Sequence, residues 1–215
     1  MTPSTTNLAS LRQEYGDRPL TESDLAADWV IQFGRWFADA VTAELPEPNA
    51  MVLATADDAG RPSARTVLLK AYDERGLVFY TNYESRKGAE LTANPYVSLV
   101  LPWLPIHRQV VICGSVTRVE RAETEVYFAA RPRESRLSAW ASPQSCVVED
   151  RTVLEDAWAE VDRQFPGDVP APPNWGGFRV APDTVEFWQG RANRLHDRLR
   201  FRRTGSDWVV ERLAP

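Results

Sequence analysis

Histidine, lysine and cysteine are all scarce in this chain, and each shortage excludes a chemistry. Only His107 and His196 are present among 215 residues, too few for a histidine-rich metal site. Cys113 sits in the apolar run VVICGSV and Cys146 in QSCVV. They form no CxxC pair, and no histidine lies at ligand spacing from either. They read as two buried structural thiols of a reducing cytosol, and no metal is expected. No GxSxG, GxGxxG or GxxxxGK[ST] occurs, which argues against an elbow-type serine hydrolase, a Rossmann dinucleotide fold and a P-loop enzyme. Long apolar runs are missing as well. The longest, Tyr96 to Ile106, is broken by Ser98, Pro102 and Pro105 and is too short to span a bilayer. The opening MTPSTTNLASLRQEYGD has neither the basic start nor the apolar core of a secretory signal, so a cytoplasmic location is expected.

An excess of positive charge is also lacking. Lys+Arg is 25 against Asp+Glu 30, a net charge of -5. No whole-protein attraction to nucleic acid or anionic lipid follows, although a local basic pocket stays open. Of the 25 cations only Lys70 and Lys87 are lysine; the rest are arginine. Most of the arginine reads as solvated surface. The two lysines mark places where a compact ammonium does what a planar guanidinium does not.

What remains is ordinary: 43% hydrophobic and 26% charged residues, enough to bury a core without disulfides or metals. Residues 1–20 are polar and aperiodic and read as an arm or a short helix around Ser10–Tyr15. Thr21 opens a long helical pattern, Thr21-x-x-Asp24 resembling a capping box. Trp29, Phe33, Trp36, Phe37, Ala40 and Val41 follow at helical spacing, and Pro46 and Pro48 close the helix. From residue 50 the period becomes two. AMVLATA, SARTVLLKAY, LVFYTN, YVSLVLPW and RQVVICGSVTRVE read as strands, separated by turns such as DDAG and DERG. Ser85 caps a short helix, RKGAELTA. Helical stretches follow at about 122–130, 134–140 and 150–165, then FRVAP, TVEFWQ, RLRFRR and WVVERL as closing strands. Residues 21–215 thus read as one mainly β domain, an antiparallel barrel with helical additions.

Four stretches carry candidate chemistry. Arg65-Thr66-Val67-Leu68-Leu69-Lys70 places two cations five apart, which strand alternation puts on opposite faces unless a bulge or strand end intervenes. By itself this reads as an edge strand with charged ends. Ser85-Arg86-Lys87 lies where a strand gives way to a helix, and its two cations beside helix N–H groups suit a phosphate as well as a solvated first turn. Tyr127, Arg131 and Ser135 are spaced by four, with Pro132 interrupting, so Arg131 and Ser135 fall near a helix break. The trio suits a phosphate ester, although taken alone it reads more readily as an exposed helical face. Arg194, His196 and Arg198 alternate, which puts two guanidiniums and an imidazole on one strand face and favours a ligand over ion pairing with Asp197, Glu186 and Asp183.

Taken together, these stretches resemble the pyridoxine/pyridoxamine 5'-phosphate oxidase family, flavin enzymes with an FMN-binding split barrel. PNAMVLAT, RTVLLK, GLVFYTNYESRKGAEL, PYVSLVLPW, RQVVICG, YFAARPRESRLSAWASPQS, WGGFRV, EFWQG, NRLHDR and RLAP come in family order over residues 46 to 215. LRQEY at 11–15 matches the family's N-terminal arm less tightly.

The resemblance implies a homodimer with FMN in a groove between subunits. Arg65, Lys70, Arg86 and Lys87 would hold the FMN phosphate, within the stretch Arg65 to Lys70 that includes Thr66, Val67, Leu68 and Leu69, with Tyr80 and Thr81 beside them. Gln109 would meet the flavin ring's polar edge, and Gln144, Ser145, Trp188 and Arg198 would complete the cofactor site. Lys70, Tyr127, Arg131 and Ser135 would grip the substrate's phosphate. Arg194 and His196 would lie over its pyridine ring as the catalytic pair, with Arg12 and Tyr15 closing from the arm. The implied reaction converts pyridoxine 5'-phosphate or pyridoxamine 5'-phosphate to pyridoxal 5'-phosphate, with hydride transfer to flavin N5 and reoxidation by O2 to H2O2. Two rivals stand beside it. An oxidase of another aromatic, such as a phenazine precursor, would lack the substrate-phosphate set. A flavin or pyridoxal-phosphate carrier would lack Arg194 or His196.

Overall fold

The computed structural model describes residues 18–215 together with 7, 8, 11 and 14–16. Among the described residues it holds nine strands in one antiparallel sheet and five α-helices. No described helix is long and apolar enough to cross a membrane.

The first helix starts later than the sequence pattern suggests. Thr21 N–H donates to Asp24 Oδ2 at 2.8 Å, as the capping pattern requires, but this closes only a 3-10 turn over Glu22–Asp24. Helix α1 runs over Trp29–Thr42 and is capped by Asp28, whose side chain accepts from Ile31 N–H at 2.7 Å. Its Trp29, Phe33, Trp36 and Ala40 face the core, while Val41 is half exposed.

Strands β1 (Ala50–Ala56), β2 (Pro62–Leu68), β3 (Ala71–Asp73), β4 (Gly76–Asn82), β5 (Tyr96–Trp103) and β6 (Arg108–Arg118) fall where the period of two places them, except that SARTVLLKAY divides into β2 and β3. Helix α2 is Arg86–Ala93, capped by Ser85. Helices α3 (Arg121–Ala129), α4 (Arg133–Ala141) and α5 (Arg151–Gln164) follow β6. FRVAP and TVEFWQ, read as two strands, are one: β7 spans Trp175–Gln189. Its pairing with β6 slips by one residue between Cys113 and Gly114, opposite Pro182 and Thr184. A bulge of this kind tolerates a proline and bends the strand without ending it. Strands β8 (Asp197–Thr204) and β9 (Asp207–Arg212) complete the sheet.

The strand order β2-β1-β5-β6-β7-β4-β3 has a strong consequence. Its two outer members, β2 and β3, are joined by only Leu69 and Lys70. The sheet must therefore curl until its edges meet, and Lys70 N–H donates to Val78 O across that seam at 2.9 Å. Inside the curl pack Met51, Leu53, Leu77, Phe79, Leu99, Ile112, Val185 and Phe187, closed by α1. A second, smaller core of Phe128, Leu137, Val169, Ala171 and Trp175 lies under the α3–α5 group. Both cysteines are exposed, not buried. Cys113 follows inward-facing Ile112 on β6, so alternation turns it outward; Cys146 sits on an exposed turn.

Candidate functional site

Strand β7 joins two groups of functional side chains. Its Trp175 end pairs with β4 and its Trp188 end with β8. At the first end lies a cleft of about 460 Å³ lined by Arg65, Thr66, Val67, Leu68, Lys70, Tyr80, Thr81, Lys87, Tyr127, Arg131, Pro132, Ser135, Gln144 and Trp175. Two stretches read as separate phosphate candidates thus share one cavity. The five-residue spacing of Arg65 and Lys70 is resolved by the strand end: β2 stops at Leu68, and Lys70 stands at the seam.

The cleft's polar end is a linked set. Lys87 Nζ donates to Gln144 Oε1 at 2.8 Å and to Thr81 Oγ1 at 3.1 Å, and Thr81 donates to the same Gln144 oxygen at 3.0 Å. Burial, aided by the nearby Arg65 charge, pulls the Lys87 ammonium down to about 8. Behind it, Arg65 donates to Leu53 O, Thr55 and Ser63 and pairs with Glu90 at 3.3 Å.

The other wall is aromatic. Tyr80 stacks on Tyr127 with ring centroids 4.0 Å apart and on Trp175 at 5.5 Å. Gly177 makes this possible, since a Cβ there would lie 2.9 Å from the Tyr80 ring. Burial, with Glu123 nearby, pushes the Tyr80 hydroxyl up to about 12, so it stays protonated. Pro132 breaks the chain between α3 and α4 and serves as the α4 N-cap, which leaves Arg131 in the gap. The Arg131 guanidinium lies 4.6 Å over the Trp175 ring, and its Nη1 is buried without a hydrogen-bond partner. Burial lowers its pKa. A buried guanidinium nitrogen with nothing to donate to, at the wall of a cationic cleft, is the strongest sign of an anionic ligand.

Three expected members do not line this cleft. Leu69 is buried in the core. Arg86 is largely exposed and pairs with Glu90 through Nε at 2.8 Å. Ser145 sits on an exposed turn with φ +75°.

The second group lies at the other end of β7. Gln109, Trp188 and Arg198 are direct cross-strand neighbours on β6, β7 and β8, which puts them in one row. Beyond them the sequence expectation fails. Arg194 and His196 do not alternate along a strand, because residues Ala192–Arg194 form a 3-10 turn and β8 begins only at Asp197. Asn193 and Arg194 take left-handed φ values of +55° and +63°, which ends the extended chain. Arg194 is exposed, while His196 folds back so that its Nδ1 accepts from Arg191 N–H at 3.1 Å. The imidazole is therefore neutral, with its proton on Nε2. Arg198 takes the ion-paired alternative, donating from Nε and Nη2 to Glu186 at 2.7 and 3.0 Å.

Tyr15 of the arm packs on this group, 5.7 Å from the Trp188 ring, 5.4 Å from His196 and 4.9 Å from His107. Gly190 permits it, since a Cβ would lie 2.9 Å from the Tyr15 ring. Arg12 lies outside the described residues. Trp175, His107 and Glu90 take part in these groups without having been singled out. Only Glu90 had a local signal, its i,i+4 spacing from Arg86.

This curled antiparallel sheet with its helical cover is a split barrel. A pyridoxamine 5'-phosphate oxidase-related, FMN binding protein from Nostoc punctiforme PCC 73102 shares the fold, with a TM-score of 0.70 over 89% of this chain and 99% of that one at 19% identity. Residues 37–165 match the family described as Pyridoxamine 5'-phosphate oxidase. Residues 175–215 match the Pyridoxine 5'-phosphate oxidase C-terminal dimerisation region. The chain belongs to the pyridoxine/pyridoxamine 5'-phosphate oxidase family. It is 64% identical to the pyridoxine/pyridoxamine 5'-phosphate oxidase of Salinispora arenicola (strain CNS-205), over 100% of this chain and 99% of that protein. It is 51% identical to that of Paraburkholderia phytofirmans (strain DSM 17436 / LMG 22146 / PsJN), over 98% of this chain and 100% of the relative. Among solved structures, PhzG from Burkholderia lata 383, in complex with tetrahydrophenazine-1-carboxylic acid, is similar with a TM-score of 0.87 and 34% identity, over 93% of this chain and all of that one.

Proposed function

We propose that this protein is an FMN-dependent oxidase that converts pyridoxine 5'-phosphate and pyridoxamine 5'-phosphate to pyridoxal 5'-phosphate. The observation that carries this reading is the shared cleft, in which Arg65, Lys70, Lys87 and Arg131 converge and one Arg131 nitrogen is buried without a partner. Such a donor set fits phosphate monoesters. Lys87, Thr81, Gln144 and the Arg65 charge would hold the FMN phosphate. Lys70, Tyr127, Arg131 and Ser135 would hold that of the substrate.

The flavin ring is assigned to the row Gln109, Trp188, Arg198. That row and the phosphate cleft are separated by most of β7, which at about 3.3 Å per residue runs to tens of ångströms. One flavin cannot reach both within one chain. We therefore assign the site to a homodimer, each flavin taking its phosphate contacts from one subunit and its ring contacts from the other. Tyr15, Arg194 and His196, beside Trp188, are then the groups that cover the substrate ring. When bound, FMN supplies acceptance of a hydride from the substrate's 4' carbon and its return to dioxygen as hydrogen peroxide. The protein's own part is alignment, exclusion of water by the arm, and a neutral His196 that can donate from Nε2.

The likeness to PhzG supports a second reading, oxidation of a phenazine precursor. The residues Tyr127, Arg131 and Ser135 favour the phosphorylated substrate. Peroxide release from the purified yellow protein decides between them. Release with pyridoxine phosphate and pyridoxamine phosphate is expected; release only with tetrahydrophenazine-1-carboxylic acid overturns the reading. Sedimentation of the holo-protein at the mass of one chain overturns the shared site.

A further inference from the structure

Glu90 is a buried carboxylate directly behind a cluster of cations that, on the reading above, binds an anion. It is only 5% exposed. Its Oε2 accepts from Thr55, from Ser63 at 2.6 Å and from Arg65 at 3.3 Å, and its Oε1 accepts from Arg86 Nε at 2.8 Å. Burial alone would raise its pKa. The bonds from Ser63, Thr55 and Arg86, with the Arg65 charge, outweigh that and hold it at about 2. It is therefore an anion under all working conditions, and by Coulomb's law alone it opposes a phosphate nearby. What it does instead is turn Arg65. Both terminal nitrogens of that guanidinium point at protein acceptors: Nη1 at Leu53 O and Thr55, Nη2 at Ser63 and Glu90. Arg65 thus stands at the cleft as a fixed charge, and its fork is not free for a ligand. Lys87 and Arg131 have no such counter-ion.

We propose that Glu90 is a positioning residue for the phosphate end of the cleft: it holds Arg65 in place as a fixed charge beside Lys87, which makes the grip on the FMN phosphate. This rests on the assignment of the cleft to the FMN phosphate. The charged and titratable groups gathered around Lys87 are Arg65 and Lys70 from β2 and its end, Tyr80 from β4, Arg86 and Glu90 from α2, and Tyr127 and Arg131 from α3 and the break after it. Glu123 acts on Tyr80 and Glu134 lines the adjoining hollow with Arg131 and Gln144, but among the described residues Glu90 is the carboxylate that pairs with Arg65. Removing it leaves Arg65 uncompensated and lowers the pH at which Lys87 loses its proton.

The test titrates full-length apo-protein with FMN and with riboflavin, which lacks the phosphate, for the parent, Glu90→Gln and Lys87→Ala. Glu90→Gln is expected to weaken FMN about tenfold while changing riboflavin less than about twofold. The alkaline loss of FMN affinity should also move to lower pH. Ser63→Ala removes a bond from Glu90 and one from Arg65 with no change of charge. It should give a smaller loss of the same selectivity, and it serves if Glu90→Gln does not fold. Tighter FMN binding in Glu90→Gln overturns the proposal, because Glu90 is then only a repelling charge. Equal losses for FMN and riboflavin overturn it as well, because Glu90 then merely supports β1, β2 and α2. If Lys87→Ala binds FMN as the parent does and the parent does not prefer FMN to riboflavin, the cleft assignment fails and takes the Glu90 role with it. The Lys87→Ala arm distinguishes that failure from the other two.

Discussion

At the Trp175 end of β7, most side chains facing the cleft stand on strands and helices, with Lys70, Arg131 and Gln144 in the short breaks between them. At the Trp188 end, the row on β6, β7 and β8 is equally firm, but what lies against it is a turn with two left-handed residues and an arm. The first region is cationic and would recognise phosphate; the second is aromatic, with its charges either paired or exposed. Binding that must persist through turnover belongs on the rigid region. Contacts that form around a substrate entering and leaving belong on segments outside the sheet. The difference implies that damage at one end should appear as lost affinity and at the other as lost rate.

The largest effect is expected at Arg131. Its Nη1 is buried and unpartnered, so a phosphate oxygen there would complete a charge-assisted bond. Arg131→Ala should lower kcat/KM for pyridoxine phosphate about a hundredfold, equivalent to ~2.7 kcal/mol, mainly through KM. Steady-state peroxide assays at fixed FMN saturation check this. An unchanged KM would mean that the nitrogen faces no substrate phosphate and that the cleft serves the cofactor alone.

The same contrast explains what was legible in the sequence. The strands and helices of the first region were legible, because period-two alternation, the Ser85 cap and the Pro132 break are local signals; which of their side chains share a site came only from the family resemblance. The convergence of Arg65, Lys70, Lys87 and Arg131 was not legible from spacing. It depends on a sheet curling until β2 and β3 meet, and no local pattern encodes that closure. The alternation Arg194, His196, Arg198 misled because nothing in the residue types at 193 and 194 announces left-handed backbone; asparagine at 193 was the one hint. The buried-thiol reading of Cys113 missed which face of β6 it occupies. Glu90 escaped because a carboxylate near the start of a helix ordinarily reads as solvated surface.

A tenfold effect is expected from Arg194. The residue is exposed on its turn, so Arg194→Ala should leave the protein folded, dimeric and yellow. Flavin reduction by pyridoxine phosphate should slow about tenfold, equivalent to ~1.4 kcal/mol in the barrier, with reoxidation by dioxygen little changed. Stopped-flow absorbance of the two half-reactions separates them. Loss of FMN with reduction intact would reverse the roles given to the two ends.

The smallest effect concerns His196, and it sharpens how the second region is held. Burial and then the neighbouring Arg194 charge lower its pKa from the ordinary 6.5. In the folded chain the neutral ring accepts from Arg191 N–H at Nδ1, and a protonated ring cannot. The sign follows: the folded turn favours the neutral form, so its contribution is complete above pH 6.5 and is lost as the pH falls towards the lowered value. Removing a neighbouring cation relieves part of that shift. In Arg194→Ala the His196 ring should titrate higher than in the parent, yet still below 6.5 because its burial remains. Proton NMR of the two histidines against pH measures this. If His196 titrates at the same pH in both proteins, burial alone sets it, Arg194 stands too far away to act on the ring, and the two residues cannot cover the same substrate from one turn.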